Sequence, residues 1–214
     1  MNVFKKSLFS LLLFVGGYSC FAQEISIRGG LNLSKVLQIV DGEDITDDSK
    51  LKPGFHFGPI LNMGISNTFS FETGLLYSVK GLISKGQHGE NRTYLSKFNI
   101  AYLDIPLKLK AVFPLKHFMI FGTGGGYVAS GLYGSLIERA DLSSNQGVWE
   151  KLQWNGNGTS IKRIDYGLDL GCGIKHKTKE FGINYQIGIH DLNNSGTNIA
   201  GFNRNLEFYV SHEF

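Results

Sequence analysis

The chain has 214 residues, of which 21 are lysine or arginine and 18 are aspartate or glutamate, so its formal net charge is only +3. A length of this order fits one domain, and the near balance of charge argues against a nucleic-acid-binding protein, which would concentrate basic residues on one face. Glycine, at 28 residues, is close to twice its usual share of about 7%, while proline occurs only four times. Such a composition indicates a strand-rich, closely packed chain.

Residues 1–22 have the layout of a secretory signal peptide. Two lysines precede a short apolar run over 8–15, and small residues lead to Ala22, after which we predict cleavage. The run is shorter than the roughly 20 residues that a membrane-spanning helix needs. A membrane anchor and a lipoprotein lipidated on Cys20 are the alternatives. Cleavage leaves Cys172 as the one cysteine, which excludes a disulfide within the chain and a zinc site built on cysteines.

Beyond this leader, apolar and polar residues alternate with a period of two in eight runs, and no stretch has helical periodicity. The runs lie in chain order at 24–36, 54–66, 69–79, 99–112, 118–130, 161–175, 181–190 and 202–214. Their length of about 10–14 residues exceeds that of most globular strands and suits the 9–11 tilted residues that cross a bilayer. Pro59 and Pro106 fall inside the second and fourth runs and predict a bulge or an unpaired position at each.

The connections between these runs alternate between long and short. Long segments are expected at 37–52, 82–97, 131–160 and 192–201, and short ones at 67–68, 113–117 and 175–180. This alternation is typical of a membrane barrel with short periplasmic turns and long outer loops. We therefore predict an all-β fold: an eight-stranded antiparallel up-and-down transmembrane β-barrel with long outer loops, forming one domain over 23–214 in the outer membrane.

The last run ends on Phe214 and would close the ring, so that no strand edge remains in the bilayer. We expect this strand to be the part that barrel-insertion machinery recognises, and outer-membrane lipid to surround the barrel. A soluble barrel of the lipocalin type is the alternative, and it would need the apolar face of every run to point inward.

In a membrane barrel the polar face of each run lines the interior. Nine charged residues are expected there, four basic and five acidic: Arg28, Glu72, Asp104, Lys108, Lys110, Arg163, Asp165, Asp169 and Glu207. Buried charges must be paired, and eight strands leave an interior about wide enough for side chains to fill. The sequence thus predicts a structural network of charges that fills the lumen, with a narrow conducting path or a ligand cavity as the alternative.

Two features of the predicted outer loops could bind a partner. The stretch "DGEDITDD" at 41–48 carries carboxylates that could hold Ca²⁺, although its spacing is not that of an EF-hand and a solvated acidic loop is the simpler interpretation. Trp149 and Trp154 lie in the longest loop, and tryptophan is favoured at binding hot spots. They could equally fold that loop onto the barrel rim. We predict no metal site and no cofactor.

Two serine–histidine pairs raise the alternative of a lipid-hydrolysing barrel. Nucleophilic catalysis needs the two side chains within hydrogen-bond reach. Ser211 and His212 are adjacent in a strand and therefore point to opposite faces, while His190 and Ser195 are separated by a loop. We predict no catalytic residues and no enzyme activity.

Four stretches resemble, in their order and spacing, the outer-membrane β-barrel family typified by PorT and common in Bacteroidetes. They are "YLDIPLKLK" (102–110), "FGTGGGYVASGLYG" (121–134), "RIDYGLDLGCGIK" (163–175) and "YQIGIHDLNN" (185–194). The resemblance implies an eight-stranded outer-membrane barrel without catalytic residues. Its named member takes part in protein secretion and gliding, whereas many other members have no known role.

The predicted function is that of an integral outer-membrane barrel with a filled lumen that acts through its outer loops. It would bind a partner or take part in an envelope or secretion complex. An outer-membrane lipid-modifying enzyme and a small pore or ligand-binding barrel are the alternatives.

Overall fold

The computed structural model describes residues 23–40, 43–44, 49–88, 92–139, 148–154, 160–194 and 199–214. They form eight long strands: β1 (Gln23–Val40), β2 (Lys52–Gly64), β3 (Phe69–Gly74, continued by Leu76–His88), β4 (Arg92–Pro114), β5 (Met119–Arg139), β6 (Ile164–His176), β7 (Lys179–Gly188) and β8 (Ile199–Glu213). Each strand pairs antiparallel with the next. β8 also pairs with β1, so the sheet closes, and the predicted eight-stranded barrel is confirmed.

No helix among these residues is long and apolar enough to cross a membrane.

The two ends of the barrel differ in their connections. Short turns at 65–68, 115–118 and 177–178 join strands at one end, here called the turn end. The other end, called the loop end, carries the connections that follow β1, β3, β5 and β7. In outer-membrane barrels the short turns face the periplasm and the long connections face outward. The predicted signal peptide, residues 1–22, lies outside the described residues.

Several strands are longer than the sequence predicts. β4 has 23 residues and β5 has 21. The long loop expected at 82–97 is wrong, because β3 and β4 remain paired as far as His88 and Arg92. Beyond the bilayer both faces of a hairpin can meet water, so the end of the apolar alternation does not mark the end of the strand.

Two irregularities interrupt the ladders. β3 breaks at Leu75, whose amide donates to the carbonyl of Pro59 at 3.0 Å, so an irregular position at Pro59 is confirmed. The bulge of β4 lies between Ala101 and Tyr102, and the register continues unshifted through Pro106. Of the two alternatives predicted at Pro106, the bulge is absent: the missing N–H donor leaves one hydrogen bond of the ladder unmade without displacing the pairing.

The two faces of the barrel wall have opposite chemistry. The outer face is apolar and exposed, with large side chains at Leu31, Phe55, Phe57, Leu107, Leu109, Leu168, Leu170, Ile183, Phe208 and Val210. The inner face is polar and buried. A lipocalin-type barrel would have the reverse arrangement, so the sidedness is that of a barrel surrounded by lipid.

Candidate functional site

Charged side chains fill much of the barrel interior. Among the described residues, five cations and six carboxylates are buried: Arg28, Lys52, Lys80, Lys108, Lys110, Glu72, Asp104, Asp165, Asp169, Glu180 and Glu207. Most project from alternate positions of strands whose other face meets lipid. The near balance of the two signs lets most of these charges find a partner, as burial requires.

Glu72 is the centre of the largest group of ion pairs. Nη1 and Nη2 of Arg28 donate to the two carboxylate oxygens of Glu72 at 3.0 and 2.8 Å. Lys108 Nζ lies 3.1 Å from Glu72 Oε1 and 3.4 Å from Asp169 Oδ1. Lys110 Nζ lies 3.9 Å from Glu72 Oε2. One carboxylate on β3 therefore binds three cations that come from β1 and β4.

This group, which we name the central ionic layer, comprises Arg28, Glu72, Lys108, Lys110, Asp169 and Glu180. Lys110 Nζ donates to Glu180 Oε1, and the side chain of Arg28 also stacks on Tyr209, with Cζ 4.0 Å from the ring centre. No side chain in the layer is more than 5% exposed. Removing one partner of such a group leaves a buried charge uncompensated, which is far costlier than losing a surface ion pair.

A second polar group lies closer to the loop end. Lys80 Nζ donates to Asp104 Oδ2 at 2.5 Å and to Gln186 Oε1 at 2.6 Å. Its ammonium lies 4.7 Å from the ring centre of Tyr127. Asp165 accepts hydrogen bonds from the Tyr127 hydroxyl at 3.0 Å and from Asn203 Nδ2 at 2.8 Å. Lys80 therefore joins β3, β4 and β7 across the lumen.

The interior changes character toward the loop end, where an apolar cluster forms on β4 and β5 while Lys52 stays buried at the start of β2. This apolar cap consists of Ile100, Tyr102, Tyr127, Ala129, Leu136 and Leu152, with Phe98, Trp154 and Ile161 packed against it. Leu152 and Trp154 belong to the connection between β5 and β6. That connection is tied to the barrel by the short strand Val148–Lys151, which pairs with β5.

Trp154 packs against the barrel instead of standing out as an anchor. A β-carbon placed on Gly131 of β5 would lie only 2.2 Å from Trp154 Cη2, so the indole occupies space that only a glycine leaves free. The amide of Leu152 donates to the carbonyl of Gly134 at 3.0 Å. For Trp154, the rim-folding alternative is therefore the one observed. The side chain of Trp149 lies outside the described part of the chain.

The connection between β7 and β8 is held by Asp191. Its Oδ1 accepts hydrogen bonds from the amides of Gly201 at 2.8 Å and Asn193 at 3.0 Å, and Lys162 Nζ lies 3.5 Å from Oδ2. Partial burial raises the pKa of Asp191, but the two amides and the lysine outweigh burial and hold this pKa below its usual value.

A polar vestibule of about 270 Å³ opens at the turn end, with Asn62, Lys110, Lys175 and Glu180 among its lining residues. Lys175 lies 3.1 Å from a carboxylate oxygen of Glu24. The vestibule reaches Lys110 and Glu180, which belong to the central ionic layer. Water that enters from the turn end therefore meets paired charges.

Eight of the nine charged residues predicted for the lumen are buried inside the barrel. Arg163 is the exception and must be corrected. It is exposed, and its Nε donates to the carbonyl of Gly131 at 2.9 Å. Arg163 stands in a bend before β6 begins at Ile164, so the alternation of the strand does not determine where it points.

Sequence reasoning misses Lys52, Lys80 and Glu180. Lys80 continues the inward period that passes through Ser78, but the apolar alternation of the third run ends at Val79. Glu180 lies one position before the predicted start of the seventh run. In each case the residue continues the inward-facing period of a strand. It is missed because it lies just outside the predicted ends of the apolar run.

The serine and histidine side chains do not form a catalytic pair among the described residues. Ser211 points inward, and its Oγ donates to Ser26 Oγ at 3.0 Å. His212 points outward against Phe214, with ring centres 5.2 Å apart. His190 contacts Tyr166. Ser195 and most of the acidic stretch 41–48 lie outside the described residues, as does any Ca²⁺ site there.

Comparisons with solved structures return outer-membrane barrels of low sequence identity. Ail of Yersinia pestis, in complex with the heparin analogue sucrose octasulfate, is 15% identical with a TM-score of 0.37, over 90% of this chain and 99% of that one. OprG from Pseudomonas aeruginosa is 12% identical with a TM-score of 0.43, over 91% and 97%. Neisserial surface protein A is 11% identical with a TM-score of 0.40, over 89% and 97%. No curated protein sequence matches the chain.

The family comparison covers most of the chain. Residues 21–194 match the family described as outer membrane protein beta-barrel domain. This match agrees with the closed ring of eight strands, the apolar outer face and the polar interior. The chain belongs to the outer membrane protein beta-barrel domain family and resides in the outer membrane.

Proposed function

We propose that this protein is a non-conducting outer-membrane barrel that acts through its loop end, as a binding module or as a component of an envelope complex. The observation that carries the proposal is the central ionic layer. Arg28, Glu72 and Lys108 are no more than 1% exposed. An ion crossing the lumen would have to separate buried pairs at a cost of several kcal/mol.

The architecture of the loop end supports the second half of the proposal. β4 and β5 extend well beyond the 9–11 residues that a bilayer requires. The apolar cap anchors Leu152 and Trp154 on this extension. Exposed polar residues of the same region, such as Glu138, Arg139 and Glu150, then stand on a rigid support. Binding residues are commonly carried by loops that a rigid scaffold positions.

Conductance measurement tests the closed lumen. The purified full-length chain, shown to be folded by a shift of gel mobility on boiling, is added to a planar bilayer in concentrated KCl. We expect no unit conductance above the baseline of the bilayer. Reproducible single-channel steps would contradict the proposal and favour the small-pore alternative.

Loop replacement tests the binding role. Residues 140–147 are replaced by a glycine–serine linker of equal length, which leaves Val148–Trp154 in place. Proteins cross-linked to the barrel on intact cells are then compared with those of the wild type. We expect the loss of at least one cross-linked partner, and no loss for Lys116→Gln in an exposed turn at the opposite end. If both variants keep every partner, residues 140–147 do not carry the binding.

We further propose a setting for the barrel, a segment that the insertion machinery recognises and the absence of a catalytic role. The resemblance to the PorT-type barrels supports an envelope or secretion complex as the setting. Recognition by barrel-insertion machinery through β8 is supported by the exposed Phe214 that follows it. We propose no catalytic role, because Ser211 and His212 point to opposite faces. A phospholipid turnover that Ser211→Ala or His212→Ala abolished, with the barrel still folded, would overturn that part.

A further inference from the structure

Two cations lie directly opposite each other on the outer wall of the barrel. Lys35 of β1 pairs in register with Arg204 of β8. Both project outward, because the neighbouring positions along each strand are buried in the interior, including Ser34 and Asn203. The β-carbons of such a pair are about 5 Å apart, and like charges placed this way destabilise a sheet.

The protein offers these two cations no carboxylate partner within the described residues. Neither Lys35 nor Arg204 takes part in any of the ion pairs found there. Arg204 Nη1 donates instead to the carbonyls of Gly188 at 2.7 Å and Asn203 at 2.9 Å. These bonds draw the guanidinium toward β7, on the side of β8 away from Lys35, and leave Nε and Nη2 without a described acceptor. A fixed guanidinium edge with two free donors suits the oxygens of a phosphate.

The pair interrupts the outward apolar residues of β1 and β8, which continue toward the loop end with Leu37–Phe202 and Ile39–Ala200. Toward the turn end, the outward pairs of β1 and β8 are Leu33–Leu206, Leu31–Phe208 and Gly29–Val210. Ile25, near the turn end of β1, lies ten residues before Lys35. Ten residues of a tilted strand span about 25 Å, which is the height of the apolar band in such barrels. Lys35 and Arg204 therefore lie at the level of the outer-leaflet headgroups.

An apolar groove of about 580 Å³ lies on the same wall, between the two cations and the turn end. Its lining includes Gly29, Leu31, Ile174, Phe181, Phe208 and Val210. Leu31 is four residues from Lys35, or about 13 Å along the strand. A β-carbon at Gly29 would meet nothing closer than Phe57 Cδ2 at 3.5 Å. The wall could therefore hold a side chain at this position, and the space that the glycine leaves fits a hydrocarbon chain.

We propose that Lys35 and Arg204 bind the phosphate of an anionic lipid of the outer leaflet, one of whose acyl chains lies in the groove at Gly29. The two cations select a headgroup that carries a negative charge, and the apolar lining of the groove binds an acyl chain. The lipid also relieves the repulsion between the two cations, which no described carboxylate does. This site is on the barrel wall and is independent of the partner proposed for the loop end.

Binding of the phosphate by Lys35 and Arg204 can be tested by native mass spectrometry. The folded full-length chain in detergent is titrated with dioleoyl phosphatidylglycerol. The wild type should retain one lipid, and Lys35→Gln combined with Arg204→Gln should weaken the apparent affinity by about tenfold or more. Lys151→Gln removes an exposed cation from the loop end and should change the affinity by less than about twofold. Equal affinities for the double variant and the wild type, or an equal loss in Lys151→Gln, would overturn the proposal.

A larger side chain in the groove tests whether an acyl chain lies at Gly29. Gly29→Leu should weaken retention of the lipid by about threefold or more, since the added side chain would occupy the groove and remove the packing contacts that hold the acyl chain there. Gly124→Leu is the matched control, because Gly124 also faces lipid and its β-carbon would meet Leu170 Cδ2 at 3.5 Å. If a second copy of the chain occupies the groove, a dimer appears and Gly29→Leu abolishes it with lipid retention unchanged, which overturns the proposal.

A variant that keeps the positive charge provides a second test in case the double variant does not fold. Arg204→Lys retains the cation but loses the planar edge, so phosphatidylglycerol should bind about threefold more weakly or worse. Dioleoyl phosphatidylcholine should bind the wild type more weakly than phosphatidylglycerol. Unchanged binding by a folded Arg204→Lys variant, together with equal affinity for the two lipids, would show that the site does not read an anionic phosphate.

Discussion

The interior of this barrel is filled in two different ways. The central ionic layer uses charges that are no more than 5% exposed, whereas the apolar cap at the loop end uses Ile100, Leu136 and Leu152. The surroundings explain the difference. Within the bilayer the outside is as apolar as any core, so apolar burial gives no driving force, and polar side chains that cannot face lipid specify the inside. At the loop end the surroundings are water, and the hydrophobic effect can build a core.

The largest effect is expected in the ionic layer. Glu72→Gln removes the carboxylate that Arg28, Lys108 and Lys110 share, and Arg28 has no other ion pair among the described residues. The free energy of unfolding should fall by about 3–5 kcal/mol, measured by urea titration with gel mobility of unboiled samples as the readout. Glu150→Gln, at an exposed position, should change it by less than about 0.5 kcal/mol. Similar values for the two variants would mean that the layer does not stabilise the barrel.

A cavity in the apolar cap should act locally. Leu152→Ala should cost about 2–3 kcal/mol, at the low end for a buried leucine because a loop can relax around the cavity. We expect faster amide exchange at 148–154 with an unchanged unfolding midpoint of the barrel. Val148→Ala, at a position 64% exposed in the same segment, should leave exchange nearly unchanged. A lowered barrel midpoint would show that cap and barrel unfold together.

A smaller perturbation of the cap comes from β5 itself. Gly131→Ala places a β-carbon 2.2 Å from Trp154 Cη2, so the indole must move, at a cost of about 1–2 kcal/mol. In a Trp149→Phe background, tryptophan emission should shift to longer wavelength as Trp154 meets water. Gly124→Ala adds the same methyl group on the lipid face and should leave the emission in place. An unshifted spectrum for Gly131→Ala would mean that Trp154 does not pack there.

The smallest effect is expected at Asp191, which fastens the β7–β8 connection in water. Its lowered pKa means that the charged form stabilises this connection above the ordinary aspartate pKa of about 4, and that the stabilisation is lost as the pH falls through the lowered value. Asp191→Asn should therefore speed exchange of the Gly201 amide at pH 7. The difference from the wild type should shrink under strongly acidic conditions. A difference that persists unchanged there would exclude the carboxylate charge as its cause.

Alternation with a period of two is sufficient to place Arg28, Asp104 and Lys108 inside the barrel. The alternation is informative because one face of each strand meets lipid and the other meets the polar interior. The pattern of side chains therefore shows which face of the strand points inward. It fails at Arg163, which lies outside the strand, and at Lys80, where the apolar run ends one residue too early. Boundaries are weak in such sequences because a ladder can continue into water without any change in hydrogen bonding.

The sequence by itself therefore determined the number of strands, their order and the face that each presents to lipid, since these are local properties of alternation and turn composition. Only the tertiary structure decided which charges meet. Arg28 and Glu72 are 44 residues apart, and Lys108 and Asp169 are 61 apart. These contacts, like the juxtaposition of Lys35 with Arg204 and of Trp154 with Gly131, depend on the register between strands and on closure of the ring, which the pattern of any single strand does not encode.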